Sequence, residues 1–303
     1  MKEIFSQKSK IETHRFVFKG KELQINILRE DQLHPIISGN KLRKLKYPIL
    51  GAVQQKVTGI ISFGGAYSNH LSALSYCCSM FDLPLLCMVR SNDKNLSNPT
   101  LKFIESQGAS IAFLSFAEYR MRNDAAFLAE LQSNYPNYLI IKEGGKGGEA
   151  EQGVGEIVDS RVKEYDRLIV GVGTGTTFRG LKNSLGDGQK ITGFSAVPQK
   201  FLDADIRNDK DLNFDFLFGA YAKTNVELQA FVFDFWEQTK VLLDPIYTSK
   251  AMYGLCSKMS EDVNYAQLPL LIHTGGLQGF LGMEDVFPWV KAALPQALVS
   301  KHL

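Results

Sequence analysis

Lys41 and Lys44 stand three residues apart in SGNKLRKLKY (residues 38–47), directly after Ser38-Gly39-Asn40. Residues three apart share one helical face, so both amines could point into one pocket. One could form a covalent imine while the other meets an anion. A lysine that attacks a carbonyl must be neutral, and desolvation or a neighbouring cation lowers its pKa. Lys44 is such a neighbour for Lys41. The plain alternative is the basic start of a solvated helix. The tight turn placed just before three cations, Lys41, Arg43 and Lys44, is what favours a pocket.

Two further segments carry polar groups at the points where ligands collect. In SFGGAYSNHLSAL (62–74) a strand ends at Phe63, Gly64-Gly65 turn the chain, and Ser68, Asn69 and His70 open a helix. Simple capping by Ser68 or Asn69 would account for part of this. Free N–H groups with three polar side chains in a row could equally hold a carboxylate. In IVGVGTGTTFRGL (169–181) strand, glycine-rich turn and helix form a backbone cradle for an anion, with Thr174, Thr176 and Thr177 adding hydroxyls. A dinucleotide fingerprint would need glycine at Thr176 and an acid after the next strand, which instead ends Ser195-Ala196-Val197-Pro198. A P-loop fails because Leu181 occupies the lysine position. A small phosphate without a nucleotide fits best.

The elements that must position these segments alternate two periods. Strand-like runs fall at Val57–Phe63, Leu83–Val89, Ser110–Leu114, Tyr138–Ile141, Arg167–Val172 and Lys190–Val197. Helical patterns lie between them at Ser68–Phe81, Asn98–Gln107, Ala117–Asn134, Glu151–Glu164 and from Thr176. That rhythm predicts βαβ units around parallel sheets, whose ligands sit at the carboxyl ends of the strands. A hairpin is expected at Lys19-Gly20. The glycine-rich EGGKGGEAEQG (143–153) reads as a domain crossing. The expected architecture is α/β with two doubly wound domains of mostly parallel sheets. A large cofactor-binding domain spans 1–52 and 153–303, and a small inserted α/β domain spans 53–152.

Composition narrows the class. The 303 residues carry 34 basic and 32 acidic side chains, interspersed, so no basic stripe invites nucleic acid. The longest apolar runs are strand-length, which speaks against a membrane span. The start, MKEIFSQKSKIETH, lacks the apolar core of a secretory signal, and Cys77, Cys78, Cys87 and Cys256 show no CxxC spacing. A cytoplasmic protein with reduced thiols and no metal is expected.

Taken in order, the segments REDQLHPIISGNKLRKLKY (29–47), SFGGAYSNH (62–70), VGTGTT (172–177), FGAYAK (218–223), LLDPIYTSKAM (242–252) and IHTGG (272–276) resemble a family. The chain is similar to the pyridoxal-phosphate enzymes of the tryptophan synthase β-type fold (fold type II). Within them it resembles the branch of 1-aminocyclopropane-1-carboxylate deaminases and D-cysteine desulfhydrases. The resemblance implies that Lys41 carries pyridoxal 5'-phosphate as an imine and that Asn40 lies beside the cofactor's 3'-oxygen. Lys44 approaches the phosphate, with Gly173, Thr174, Gly175, Thr176 and Thr177 around it. It implies further that Ser68, Asn69 and His70 grip the substrate carboxylate, with Asn69 also near the cofactor and Ser68 in proton transfer. Tyr221 and Tyr247 match tyrosines near the substrate, although tyrosines are commonly core or interface aromatics. Thr248 matches the position facing the pyridine nitrogen. Deaminases carry glutamate there and desulfhydrases threonine. Deaminases also carry glutamine where this chain has His70. The stretch 201–218, rich in Asp and Asn, follows no motif of the family.

The implied activity is a lyase acting on a small amino acid, with D-cysteine giving pyruvate, ammonia and sulfide. Removing an α-proton and expelling thiolate is easier chemistry than opening a cyclopropane that has no α-hydrogen, and a neutral hydroxyl at Thr248 suits the easier reaction. The deaminase is the alternative, followed by a cofactor-binding protein without turnover. A nucleotide-dependent oxidoreductase lacks its glycine and acid. A homodimer is expected from the resemblance alone.

Overall fold

The computed structural model describes residues 2–219, 221–262, 265, 267–296 and 298–299. Ten strands run β1 Ile11–Phe18, β2 Lys21–Leu28, β3 Gly59–Gly65, β4 Leu85–Arg90, β5 Ser110–Leu114, β6 Tyr138–Ile141, β7 Arg167–Val172, β8 Lys190–Ser195, β9 Leu212–Asn213 and β10 Pro269–Ile272. The α-helices are α1 Asn40–Gln55, α2 Asn69–Met80, α3 Pro99–Ser106, α4 Phe116–Arg120, α5 Ala125–Asn134, α6 Gly148–Gly155, α7 Thr176–Lys182, α8 Val226–Thr239, α9 Thr248–Glu261 and α10 Val290–Ala293.

The strands form two sheets. One has six strands in the order β1-β2-β10-β7-β8-β9, and the other has four in the order β5-β4-β3-β6. Every pairing is parallel except the β1–β2 hairpin. That hairpin closes through Lys19 (φ 49°) and Gly20 (φ 78°), the pair of positive dihedrals that a two-residue hairpin loop of matching twist requires. The fold is therefore α/β with mostly parallel sheets.

Strand periodicity divides each sheet between two cores. Leu168, Val170 and Val172 of β7 join Leu270 and Ile272 under Val154, Phe178 and Leu181 of α6 and α7. Ile169 and Leu271 face the other way, into a core with Ile25, Ile27 and the apolar faces of α8 and α9. Coverage on both sides is what parallel sheets need, and each fully buried aliphatic side chain contributes about 1.5–3 kcal/mol. In the smaller sheet Ile60 packs beneath α1 and α2, while Ile61 and Phe63 pack on the opposite face. The apolar side of α1 (Leu42, Leu45, Ile49 and Ala52) lies in the core of the four-stranded sheet.

Two helices differ from the sequence pattern. The run expected as one helix over 117–134 is broken, because the Asp124 carboxylate accepts the N–H groups of Ala126 and Phe127 and starts α5 afresh. The helix expected over 151–164 ends at Gly155. Asp159 then captures the N–H groups of Arg161 and Val162 in a new turn. Two glycines in α6 serve close packing: a Cβ on Gly153 would lie 2.1 Å from the Arg43 carbonyl oxygen of α1, and one on Gly155 would lie 2.4 Å from Ser184 Oγ.

Candidate active site

The carboxyl ends of β3, β7 and β10 meet the amino ends of α1, α2, α7 and α9. Gly39 opens α1 at φ 66°, and a Cβ there would lie 1.9 Å from the Thr274 carbonyl oxygen. The Asn40 N–H donates to that same oxygen at 3.1 Å. Only glycine allows α1 to start pressed against the loop after β10. From this start the Lys41 amine donates to Asn40 Oδ1 at 3.0 Å, and Asn40 Nδ2 donates to Thr177 Oγ1 at 2.9 Å. The lysine segment and the glycine-threonine segment, 137 residues apart, thus share one hydrogen-bonded chain.

Burial sets the charge of both lysines. Part of the Lys41 side chain reaches solvent, yet protein surrounds its amine, and that desolvation pulls the pKa down to about 8 against the pull of the Asp244 charge. Lys44 is 3% exposed, and its amine makes one long bond, 3.4 Å, to the Gly144 carbonyl. Burial first, then repulsion from Lys41 and Arg179, drives its pKa well below the ordinary lysine value. Arg43 turns away from the site into a bidentate pair with the fully buried Glu30, both bonds 2.9 Å.

His70 belongs to the same cluster with a defined tautomer. The Ser62 hydroxyl donates its one hydrogen to the Ile141 carbonyl at 2.7 Å, so toward His70 Nε2, at 2.8 Å, it can only accept. Nε2 therefore carries the hydrogen, and Nδ1 is a bare, buried acceptor with no protein partner. Burial, then Lys41 and Lys44, depress its pKa to about 3, which keeps the ring neutral. A Cβ on Gly145 would lie 3.5 Å from the Lys44 Cβ and 3.7 Å from this Nδ1. The neighbouring Ser68 caps α2, its Oγ accepting the Leu71 N–H at 3.2 Å. Asn69 reaches across to the loop after β10, where a Cβ on Gly276 would come 2.9 Å from its Nδ2.

The amino end of α9 is built by Asp244. Fully buried, its carboxylate accepts the N–H groups of Ile246, Tyr247 and Thr248 at 3.0, 2.8 and 2.6 Å. This fixes Tyr247, whose hydroxyl donates to that of Tyr221 at 3.3 Å. Burial, then Tyr221, raises the Tyr247 pKa well above the usual phenol value. Tyr247 also explains the glycines of the third segment: a Cβ on Gly171 or on Gly173 would lie 2.7 Å from its backbone oxygen or its ring. Gly175, at φ 85°, precedes α7, and the Thr174 and Thr176 hydroxyls lie 3.4 Å apart. Thr248 is 1% exposed with its Oγ1 lacking a protein partner.

All three segments therefore converge, together with Tyr221, Tyr247 and Thr248. Sequence reasoning passed over Asp244, which stands four residues before the first residue of α9, too far upstream to read as an ordinary helix cap. Within 143–153, read as a domain crossing, Gly144 and Gly145 also lay their backbone against Lys44 and His70, a contact that sequence reasoning missed.

Such an arrangement defines a class, an α/β enzyme that keeps an easily neutralised lysine beside a backbone cradle at the strand ends. The chain belongs to the family of pyridoxal-phosphate dependent enzymes, which it matches across residues 13–275. It is 27% identical over 310 residues to the bifunctional D-cysteine desulfhydrase/1-aminocyclopropane-1-carboxylate deaminase of Arabidopsis thaliana, covering 88% of this chain and 75% of that one. It is 24% identical to a D-cysteine desulfhydrase of Klebsiella pneumoniae, covering 84% and 87%. Among solved structures it is similar to a homologue of 1-aminocyclopropane-1-carboxylate deaminase, with a TM-score of 0.78, 22% identity and 94% of each chain covered. That likeness places the fold in type II of the pyridoxal-phosphate enzymes. Among the described residues no helix is long and apolar enough to cross a membrane.

The residues present fit the cofactor. A lysine with its amine drawn toward neutrality, a second buried cation with one long bond, and an unpartnered buried hydroxyl at Thr248 are groups that an anionic pyridine ligand would satisfy.

Proposed function

We propose that the protein is a lyase that eliminates the β-substituent of D-cysteine or a related small amino acid, giving pyruvate, ammonia and sulfide. Thr248 carries this reading. A carboxylate at that place would hold the cofactor's ring nitrogen protonated, and a neutral buried hydroxyl does not. Pyridoxal 5'-phosphate supplies an electron sink for the charge left at Cα, and a hydroxyl partner is enough where a good leaving group departs.

In this reading Lys41 holds the cofactor covalently until the substrate amine replaces it, and its released amine, with its pKa drawn down to about 8, takes the Cα proton. Lys44 and the turn Gly173, Thr174, Gly175, Thr176 and Thr177 hold the phosphate, and Asn40 binds beside the ring oxygen. Ser68 and Asn69 hold the substrate carboxylate. The Ser68 oxygen already accepts the Leu71 N–H, which leaves its hydroxyl hydrogen free to donate. His70 offers an acceptor, so its part is to orient a donor in the cluster rather than to donate to the carboxylate. Tyr247 stays protonated with its hydrogen on Tyr221, so its oxygen is an acceptor that polarises the substrate amino group, with Tyr221 alongside. Residues 1–52 and 153–303 supply the cofactor contacts, and residues 53–152 supply Ser68, Asn69 and His70.

The test is the ratio of kcat/KM for D-cysteine and 1-aminocyclopropane-1-carboxylate. D-cysteine should win, with pyruvate and sulfide as products and little 2-oxobutyrate from the cyclopropane. If the cyclopropane compound wins, the deaminase replaces this reading. The name of the Arabidopsis relative, which joins both activities, is the reason to measure both in one preparation.

A further inference from the structure

Tyr221 follows a segment of irregular chain, in which Phe218 (φ 48°) and Gly219 (φ 107°) hold left-handed backbone, as does Ala222 (φ 54°) after it. Left-handed dihedrals at residues with a Cβ cost about 1–2 kcal/mol each and persist only where surrounding contacts enforce them. The contacts come from one face of α9. Lys250, 0% exposed, donates from its amine to the Leu217 carbonyl at 2.7 Å. One turn on, the Tyr253 ring meets Phe216 at 5.8 Å and Phe218 edge-on at 4.9 Å. The same helix begins with Tyr247 and Thr248, and Tyr247 touches the Tyr221 hydroxyl.

A lysine is an expensive way to fill a core position, because its charge loses solvation and a methionine would pack the same length without that cost. Burial draws the Lys250 pKa down to about 8, opposed by Asp244, and the amine donates a hydrogen bond in either protonation state. The side chain therefore serves the carbonyl it reaches. We propose that Lys250 is a positioning residue that anchors the Leu217 carbonyl and so sets Tyr221 against Tyr247 across the substrate. The proposal rests on the reading that these two tyrosines serve the substrate amine.

The test is a double-mutant cycle in the holoenzyme with Lys250→Met and Tyr221→Phe, read by steady-state kinetics on D-cysteine and by hydrogen exchange of amides in 215–223. Lys250→Met should lower kcat by about tenfold, with a smaller change in KM. It should speed exchange in 215–223 while leaving cofactor content unchanged. In the Tyr221→Phe background it should cost almost nothing further. An equal loss in both backgrounds, or unchanged exchange in the segment, overturns the proposal. If Tyr221→Phe is itself fully active, the reading of that tyrosine falls. Anchoring by Lys250 is then decided by exchange alone, and faster exchange upholds it. Should Lys250→Met fold poorly, Lys250→Gln restores a donor. It is expected to recover part of kcat and of the protection, and recovery of neither overturns the proposal.

Discussion

Two faces of one short stretch treat positive charge in opposite ways. On the outer face Arg29 and Arg43 are each 7% exposed and each is answered by carboxylates, Arg29 by Asp31 and Glu12 and Arg43 by Glu30. Burial works against both cations, but their paired hydrogen bonds outweigh it and raise their pKa values. On the inner face Lys41 and Lys44 are packed round by protein, with no carboxylate among the described residues in hydrogen-bonding contact, and their pKa values fall. The first arrangement is complete in the protein alone. The second is complete only with an anion, which is the difference between a structural charge and a binding one.

The largest expected effect comes from removing the reactive member of the inner pair. Lys41→Ala should abolish the borohydride-stable link to the cofactor and lower kcat by about a thousandfold or more. A stable adduct on another lysine in that variant would overturn the assignment of the segment. In the protein stripped of cofactor, Lys41 should react with amine reagents with a midpoint near pH 8. Below that pH the amine is protonated and unreactive, whereas surface lysines become reactive only about two units higher.

Next in size is the contrast between the pairs. Glu30→Gln leaves the Arg43 charge buried without its counter-ion and should cost about 3–5 kcal/mol in denaturant unfolding. Lys44→Met removes a buried cation that lacks an ion-pair partner, so the cofactor-free protein should be as stable as before or more so. The same change should weaken cofactor binding by roughly 1.5–3 kcal/mol, measured as dissociation at equilibrium. A Lys44→Met variant as destabilised as Glu30→Gln would erase the distinction drawn here.

Much of this arrangement was legible in the sequence, for reasons that also explain the failures. Strands at 110–114, 138–141 and 167–172 were readable because their apolar runs are short and bounded by turns. The lysine spacing was readable because three residues span nearly one helical turn. Spacing by two sends Arg43 to another face, where Glu30 waits 13 residues earlier in the chain, and pattern alone does not reveal that partner. Asp124 split a helix because capping two N–H groups outweighed the apolar period around it. The part Gly144 and Gly145 play in the site was missed since their contribution is backbone that comes close to Lys44 and His70, and a missing side chain is a faint signal. Lys250 lies in one of the family segments, yet it reaches a backbone carbonyl, which no residue type announces.

The smallest expected effect falls on Thr248 and separates the two states of the protein. With no protein partner for its buried Oγ1, Thr248→Val replaces an unsatisfied hydroxyl by a methyl of the same shape. The cofactor-free variant should gain about 1 kcal/mol of stability, seen as a higher midpoint in denaturant with unchanged slope. Loaded with pyridoxal 5'-phosphate, the variant should bind the cofactor less tightly, by roughly tenfold, because the hydroxyl would have donated to the ring nitrogen. Opposite signs in the two states are the signature of a group kept unsatisfied for its ligand. If both states lose stability alike, the hydroxyl serves the protein itself, and the elimination reading loses the residue that carries it.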